Sequence, residues 1–251
     1  MIDVTLLGVL QGIAEFLPIS SSGHLVLGKR FLGMQELGIR LDIFLHVGTL
    51  VSIFAFYFAV IRRIIVGLEW SYMLKVLLSA VPAGIVGVLF KDDLEAAFTS
   101  TEMVGGALIF TGVVLTLTRL LPKGGKGVSF PRALLMGLAQ AVAILPGVSR
   151  SGMTLAAARA SGVDAEKSAE FSFLMSAPPI AGAALLELVK SLDAAPAASS
   201  EVGWGLTIYG CALSAAVGYF SLKVLLKSLK GRWFWLFGPY CICAGLLTLF
   251  A

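Results

Sequence analysis

The stretch Gln11–Gly23 reads QGIAEFLPISSSG, and Gln140–Gly152 reads QAVAILPGVSRSG. The two align without a gap. Gln11 matches Gln140, Ala14 matches Ala143, Ser20 matches Ser149, Ser22 matches Ser151 and Gly23 matches Gly152, with Ile19 opposite Val148. Each is an apolar run that reaches a proline and then breaks into hydroxyl or charged residues before glycine. Inside a bilayer such a break is tolerated only where irregular backbone faces protein or a wet cavity. The repeat is therefore read as the two halves of one site.

A bilayer is the right solvent to assume. Charged residues make up 14% of the 251 positions and hydrophobic ones 58%, whereas a soluble domain carries about a quarter charged. The apolar blocks recur along the whole length, which a lone signal peptide does not do. A soluble, fully buried helical core is the alternative. The net charge of +4 comes from Lys and Arg between apolar blocks, as membrane topology requires, so nucleic acid is not an expected partner. Cys211, Cys241 and Cys243 lie in apolar segments away from His or Asp, which supports neither a zinc nor an iron–sulfur site.

The expected fold is an all-α polytopic membrane protein forming one membrane domain over 1–251. Residues 2–30 and 133–160 are each too short and too broken to span, and each is read as a re-entrant helical hairpin. Full spans are expected at 43–61, 72–90, 103–121, 171–189, 204–226 and 233–250, with a kink at Pro82. Repeat one covers 1–122 and repeat two 130–251. Gly105, Gly106 and Gly112 favour close helix packing, and the Ala/Ser-rich stretch 191–200 reads as a flexible connection. Basic segments near 62–63, 123–132 and 223–232 belong in the cytoplasm and the acidic loop 91–102 outside. Each half is then a hairpin plus three spans. Three crossings turn the second half upside down, an inverted-topology repeat that brings the hairpin tips together in the membrane. A single long span in place of each hairpin is the rival arrangement.

Glu15 is the first candidate, because a carboxylate in an apolar helix is costly and points to function. Gln11, four residues earlier, shares its helix face. Ser20, Ser21, Ser22 and His24 follow the turn. The competing view is a hydrogen-bonded contact that holds the hairpin closed. Arg150 is the second candidate. Gly147 and Gly152 let nearby N–H groups converge, Ser149, Ser151 and Thr154 add hydroxyls, and the guanidinium fork suits phosphate. A helix starting near Ser151 adds its positive end. Alternatively, Arg150 is the structural partner of Glu15. Asp42 and His46 form an i, i+4 pair, read as a cap and a packing histidine. Glu170, Glu187, Lys190 and Glu201 are read as structural, Glu170 reaching Arg159 or Lys167. On residues alone, an anion transporter and an enzyme both remain open.

The stretch QGIAEFLPISSSGHL resembles the first signature of the bacterial undecaprenyl-diphosphate phosphatase family, which is also known for bacitracin resistance. Pro146–Thr154, PGVSRSGMT, resembles the second. His46–Leu50 and Ser176–Pro179 extend the likeness over nearly the whole chain. The resemblance implies hydrolysis of a C55 polyprenyl diphosphate to the monophosphate carrier and phosphate, in the service of cell-wall synthesis. It implies a multi-pass protein of the inner membrane whose site opens to the extracytoplasmic side. The expected partners are that lipid and the bilayer, with a homodimer admissible. By the same resemblance Glu15, Ser21, His24 and Arg150 are catalytic. Gln11, Ser20, Ser22, Gly147, Ser149, Ser151, Gly152 and Thr154 bind substrate. A divalent cation, Mg2+ or Ca2+, is expected at Glu15. Gln11 stands where the family also carries Glu, so one carboxylate is lost there. The nucleophile is Ser21, water or His24, and a lipid-phosphate flippase is the second function class.

Overall fold

The computed structural model describes residues 1–34, 39–193 and 202–250. Glu201 and residues 194–200 of the Ala/Ser-rich connection lie outside these, as do the side chains of Glu95, Glu187 and Lys190. Among the described residues the chain forms twelve α-helices and no strand. They are α1 (Ile2–Ala14), α2 (Ser21–Phe31), α3 (Ile39–Phe56), α4 (Phe58–Val66), α5 (Trp70–Leu89) and α6 (Lys91–Thr99). Then come α7 (Thr101–Leu117), α8 (Phe130–Val142), α9 (Arg150–Ala160), α10 (Ala165–Asp193), α11 (Trp204–Gly231) and α12 (Phe237–Phe250).

Among the described residues four helices are long and apolar enough to cross a membrane: Trp70–Leu89, Thr101–Leu120, Ala165–Leu186 and Trp204–Gly231. The helix α5 shows how these residues are arranged. Its bulky Leu77, Val81, Ile85 and Val88 face outward, while the small Ser79 and Ala83 are buried. That is the pattern expected when lipid, not water, surrounds the bundle.

Several expected boundaries shift. The span 43–61 is not straight: α3 and α4 meet at Tyr57 with a bend of 70°. Arg62 and Arg63 follow within two turns, and the bend exposes them while Ile64 stays buried. The acidic loop 91–102 is mostly the helix α6, with Asp92 and Asp93 in its first turn, where the helix dipole favours acids. The helix α10 starts earlier than 171, because Asp164 Oδ1 accepts the N–H groups of Glu166 and Lys167 at 2.9 and 3.2 Å. Pro178 and Pro179 lie inside it, and Pro82 lies inside the unbroken α5. The final segment is a 3-10 turn at Phe234–Leu236 followed by only 14 residues of helix.

The packing has a pattern. The helix α1 lies on α11, α8 on α5, α3 on both α10 and α11, and α7 on α12. The α7–α12 contact is close because Gly112 and Gly238 face each other. A Cβ on either would sit 2.6 Å from the other's carbonyl oxygen. Gly106 faces open space instead. Hydroxyls tie α3 to α11: Ser214 Oγ donates to Leu45 O and Ser52 Oγ to Ala215 O, each at 2.7 Å. In an apolar surround such bonds substitute for the missing hydrophobic drive between helices.

Candidate functional site

Both broken stretches follow one plan, though the left-handed residue of the turn is Ser20 in the first and Gly147 in the second. Each ends a short helix, makes an irregular turn and starts a second helix with a serine cap. Ser20 Oγ accepts the N–H of Gly23 at 3.3 Å, and Ser149 Oγ accepts that of Gly152 at 3.1 Å. Each cap also meets the serine two residues on, Ser20 with Ser22 at 3.4 Å and Ser149 with Ser151 at 3.3 Å. Capping satisfies N–H groups that the first turn of a helix leaves free. These four serines therefore have structural work whatever else they do.

The two tips touch. A Cβ on Gly23 would sit 3.0 Å from the Cα of Gly147, and Ser151 Oγ donates to Leu17 O at 3.3 Å. Gly147 itself has φ +94, a conformation that side chains other than glycine rarely adopt. Neighbouring helices brace both tips. Thr111 on α7 donates to Gly147 O at 3.0 Å and accepts from Ser149 N at 3.1 Å. Cys241 on α12 donates to Pro18 O at 3.6 Å.

Glu15 sits at the centre of the contact, buried at 4% exposure. Its Oε1 is paired with Arg150 Nη2 from the other tip. Its Oε2 accepts Ser21 Oγ–H at 2.6 Å and Gln11 Nε2–H at 3.0 Å. This places Ser21, Glu15 and Arg150 in one contiguous set. The carboxylate is held by opposite charge and by hydrogen bonds, as a buried charge requires. The Oε1 of Gln11 is buried without a hydrogen-bond partner.

The remaining expected residues lie around this set or beside it. His24 is engaged at both ring nitrogens, Nδ1 with Ser20 O at 2.9 Å and Nε2 with Tyr240 OH at 2.8 Å. It also stacks on the Tyr240 ring, with centroids 5.7 Å apart. Thr154 turns away from the tip contact and bonds Ser172 Oγ at 2.6 Å and Arg150 O at 2.8 Å. Gln140, the match of Gln11, is buried without a partner, because Ile144 stands where its carboxylate would be.

Four residues were missed or misread from sequence. His46 reaches the site: its Nε2 lies 3.6 Å from Glu15 Oε2. Its Nδ1 meets Asp42 O at 2.8 Å, and a carbonyl only accepts, so Nδ1 carries the proton. The i, i+4 pairing with Asp42 misled, since the Asp42 carboxylate goes to Lys29 at 2.6 Å. Tyr240 and Thr111 sit in plain apolar spans with no motif around them. Glu170 meets neither Arg159 nor Lys167 but Tyr72 OH at 3.1 Å and Arg63 at 3.7 Å.

A multi-pass membrane protein whose interior joins a carboxylate, a hydroxyl and a guanidinium is built to handle an anion at membrane depth. The chain belongs to the bacitracin resistance protein BacA family, whose description matches residues 4–247. It is similar to the undecaprenyl-diphosphatase of Halothermothrix orenii, 40% identical over 251 residues, which covers 98% of this chain and 96% of that one. The proteins of the same name from Pelotomaculum thermopropionicum and Desulforapulum autotrophicum are 42% and 39% identical, over 97% and 98% of this chain and 93% and 96% of theirs.

Proposed function

We propose that this chain is an undecaprenyl-diphosphate phosphatase, releasing the terminal phosphate of the C55 lipid carrier as inorganic phosphate. Near-full-length likeness to proteins of that name supports the activity. The observation that carries the mechanism is the 2.6 Å hydrogen bond from Ser21 Oγ to Glu15 Oε2. A hydroxyl donating to a buried carboxylate is a nucleophile beside its base. A transporter has no need of that pair.

Ser21 Oγ attacks the terminal phosphorus while its proton passes to Glu15. The bond from phosphorus to the bridging oxygen breaks, and the polyprenyl monophosphate leaves. Glu15 gives its proton to the departing monophosphate oxygen, then takes one from the water that bonds to phosphorus as the Ser21 Oγ–phosphorus bond breaks. It returns that proton to Ser21 as inorganic phosphate departs. Arg150 turns its fork from Glu15 to the phosphoryl oxygens, which carry the charge of a loose transition state. His24, fixed by Ser20 and Tyr240, keeps the start of α2 and hence Ser21 in place.

A divalent cation fits this set. Among the described residues no three His, Cys, Asp or Glu side chains gather, but Mg2+ is often held by a single carboxylate with substrate phosphates completing its shell. Glu15 supplies that carboxylate, and the unpartnered Oε1 of Gln11 and the Ser21 hydroxyl are further hard oxygens. When bound, the ion neutralises phosphate charge.

The architecture that goes with this function is an inverted repeat of two re-entrant hairpins. Its support is the exchange of partners. The first hairpin lies on α11 and is braced by α12, while the second lies on α5 and is braced by α7. The loop charges support an opening on the extracytoplasmic side. The test is phosphate release from a C55 diphosphate by purified protein in detergent, with and without chelator. Wild type is expected to release phosphate, to lose the activity on chelation and to regain it with Mg2+ or Ca2+. Absence of release with any divalent cation sinks the proposal.

A further inference from the structure

At the base of the second hairpin, away from the tips, the loop 121–127 is stapled to the turn that follows α9. Gly125 N and Lys126 N donate to Gly162 O at 3.2 and 3.0 Å, and Asp164 N donates to Lys126 O at 3.0 Å. Between this wall and the end of α11 lies a cavity of about 210 Å³. Lys123, Arg159, Lys230 and Arg232 line it, with Asp164 as the one acid. That acid is already used, its Oδ1 capping α10. Lys230 is neutralised by Glu166. Lys123, Arg159 and Arg232 have no carboxylate partner among the described residues. The charge of Arg232 bears on Arg159, so two like charges face one space. Arg159 donates to Leu121 O at 3.4 Å, and its Nε is buried with no acceptor. Converging cations with a buried unmet donor describe a seat for an anion.

The surroundings say which anion. Beside the cavity, and sharing Lys230 with it, runs an open groove walled by Phe56, Leu226 and Trp233, with Lys223 and Lys227 along its rim. The Lys223 ammonium lies 4.8 Å from the Tyr219 ring centroid, and the Arg119 guanidinium 4.7 Å from that of Trp235. Aromatic rings and long cations at one level mark a membrane–water interface. A free phosphate has no use for the apolar wall, and a whole drug-sized ligand needs a larger cavity of about 300–1,000 Å³. A lipid headgroup needs both parts, a small basic seat and an adjoining channel for its chain. Basic pockets between helices on the cytoplasmic side take anionic lipids, and this end of the bundle carries the basic segments 123–132 and 223–232.

We propose that this cavity binds the phosphate of an anionic phospholipid headgroup, held by Arg159 and Arg232 with an acyl chain along the Phe56–Trp233 groove. The site is separate from the catalytic one: the nine residue steps along α9 from Arg150 to Arg159 rise about 13.5 Å. The excess of cations selects against a zwitterionic headgroup, whose ammonium they repel.

The test is native mass spectrometry of the purified full chain, titrated with phosphatidylglycerol or phosphatidylcholine. Wild type is expected to retain phosphatidylglycerol at about 30-fold lower concentration. R159Q/R232Q is expected to bring the two lipids level, while phosphate release stays intact as a check on folding. R232Q alone, at an exposed position, is expected to fall between and keeps the test sharp should the double variant fold poorly. No lipid preference in wild type, or a preference that survives in R159Q/R232Q, overturns the proposal. So does removal of bound phosphatidylglycerol by millimolar inorganic phosphate, which would make this a site for the free ion.

Discussion

Replacing Glu15 by Gln and Ser21 by Ala, singly and together, separates a working pair from two independent contributors. E15Q keeps the shape of the side chain and removes its basicity. S21A removes the hydroxyl that donates to Glu15 Oε2 at 2.6 Å. Positioned general-base catalysis contributes about 10²–10⁴ in rate, so each single change should cost about 10³, or about 4 kcal/mol of transition-state stabilisation. Two independent contributions would multiply to about 10⁶. Residues that act as a unit do not multiply. Once Ser21 is gone, Glu15 has no hydroxyl to deprotonate, and once Glu15 is gone the hydroxyl is not activated. The double variant is therefore expected within about tenfold of the worse single variant, a coupling of about 3–4 kcal/mol. The assay is phosphate release from a C55 diphosphate in detergent at saturating substrate and fixed Mg2+. E15Q also leaves Arg150 facing a neutral amide, so each variant's melting temperature must be followed alongside. S21A with more than half of wild-type activity, or a further thousandfold loss when E15Q is added to it, would refute the assignment of nucleophile and base.

Other consequences follow from the same contacts. R150K keeps the charge but loses the planar fork, and about 10²–10³ in kcat is expected to go with it; near-normal turnover in purified R150K would contradict its place on the phosphoryl group. T111V keeps the volume of a buried side chain but strips partners from Gly147 O and Ser149 N. Each orphaned group costs about 1–3 kcal/mol, and the melting temperature in detergent should fall measurably, with activity lost as the second tip loosens. Y240F removes the hydroxyl 2.8 Å from His24 Nε2 and is expected to lower kcat about fivefold through misplacement of Ser21, for about 1 kcal/mol of a neutral hydrogen bond. An unchanged kcat would show that His24 is held without it.

The two tips were legible because their signal is local. A carboxylate and an arginine in apolar runs, each next to proline, glycine and serine, are costly in lipid unless they meet. Glu15 and Arg150 do meet. Roles that depend on what comes from elsewhere in the chain were not legible. His46 opens a stretch that shares the family likeness, but nothing in that stretch names a role for its ring, and only the packing of α3 brings it to Glu15. The nearer signal, Asp42 one turn away, pointed to a cap. His24 reads as a base for Ser21 by proximity in sequence, yet its nitrogens go to Ser20 and to Tyr240, which lies on the last helix. The bend at Tyr57 has no proline or glycine at it. It comes where the apolar run meets Arg62 and Arg63.

The likeness of the two stretches and their few differences do separate jobs. Shared residues build shared caps: Ser20 and Ser149 accept, and Gly23 and Gly152 supply the capped N–H groups, although the turns before them differ, with φ +70 at Ser20 in one and φ +94 at Gly147 in the other. Chemistry enters where the match fails. Glu15 faces Ile144 in the alignment and Ser21 faces Arg150, so one tip carries the carboxylate and the hydroxyl and the other the guanidinium. Two identical tips would have set like charges against each other. The arrangement depends on close approach at two places: Gly23 lets the tips meet, and Gly147 lets the second tip lie against α7. A methyl on Gly23 would press on the Cα of Gly147 at 3.0 Å, and one on Gly147 would press on Val104 O at 2.5 Å. The first clash lies between the tips and the second between the Arg150 tip and α7, so either would disturb the seat that brings Arg150 to Glu15. Since displacement of a catalytic group by about 1 Å is enough to cost about 10²-fold, G23A and G147A are each expected to lower phosphate release by about that factor, and wild-type release in either would contradict the need for close approach.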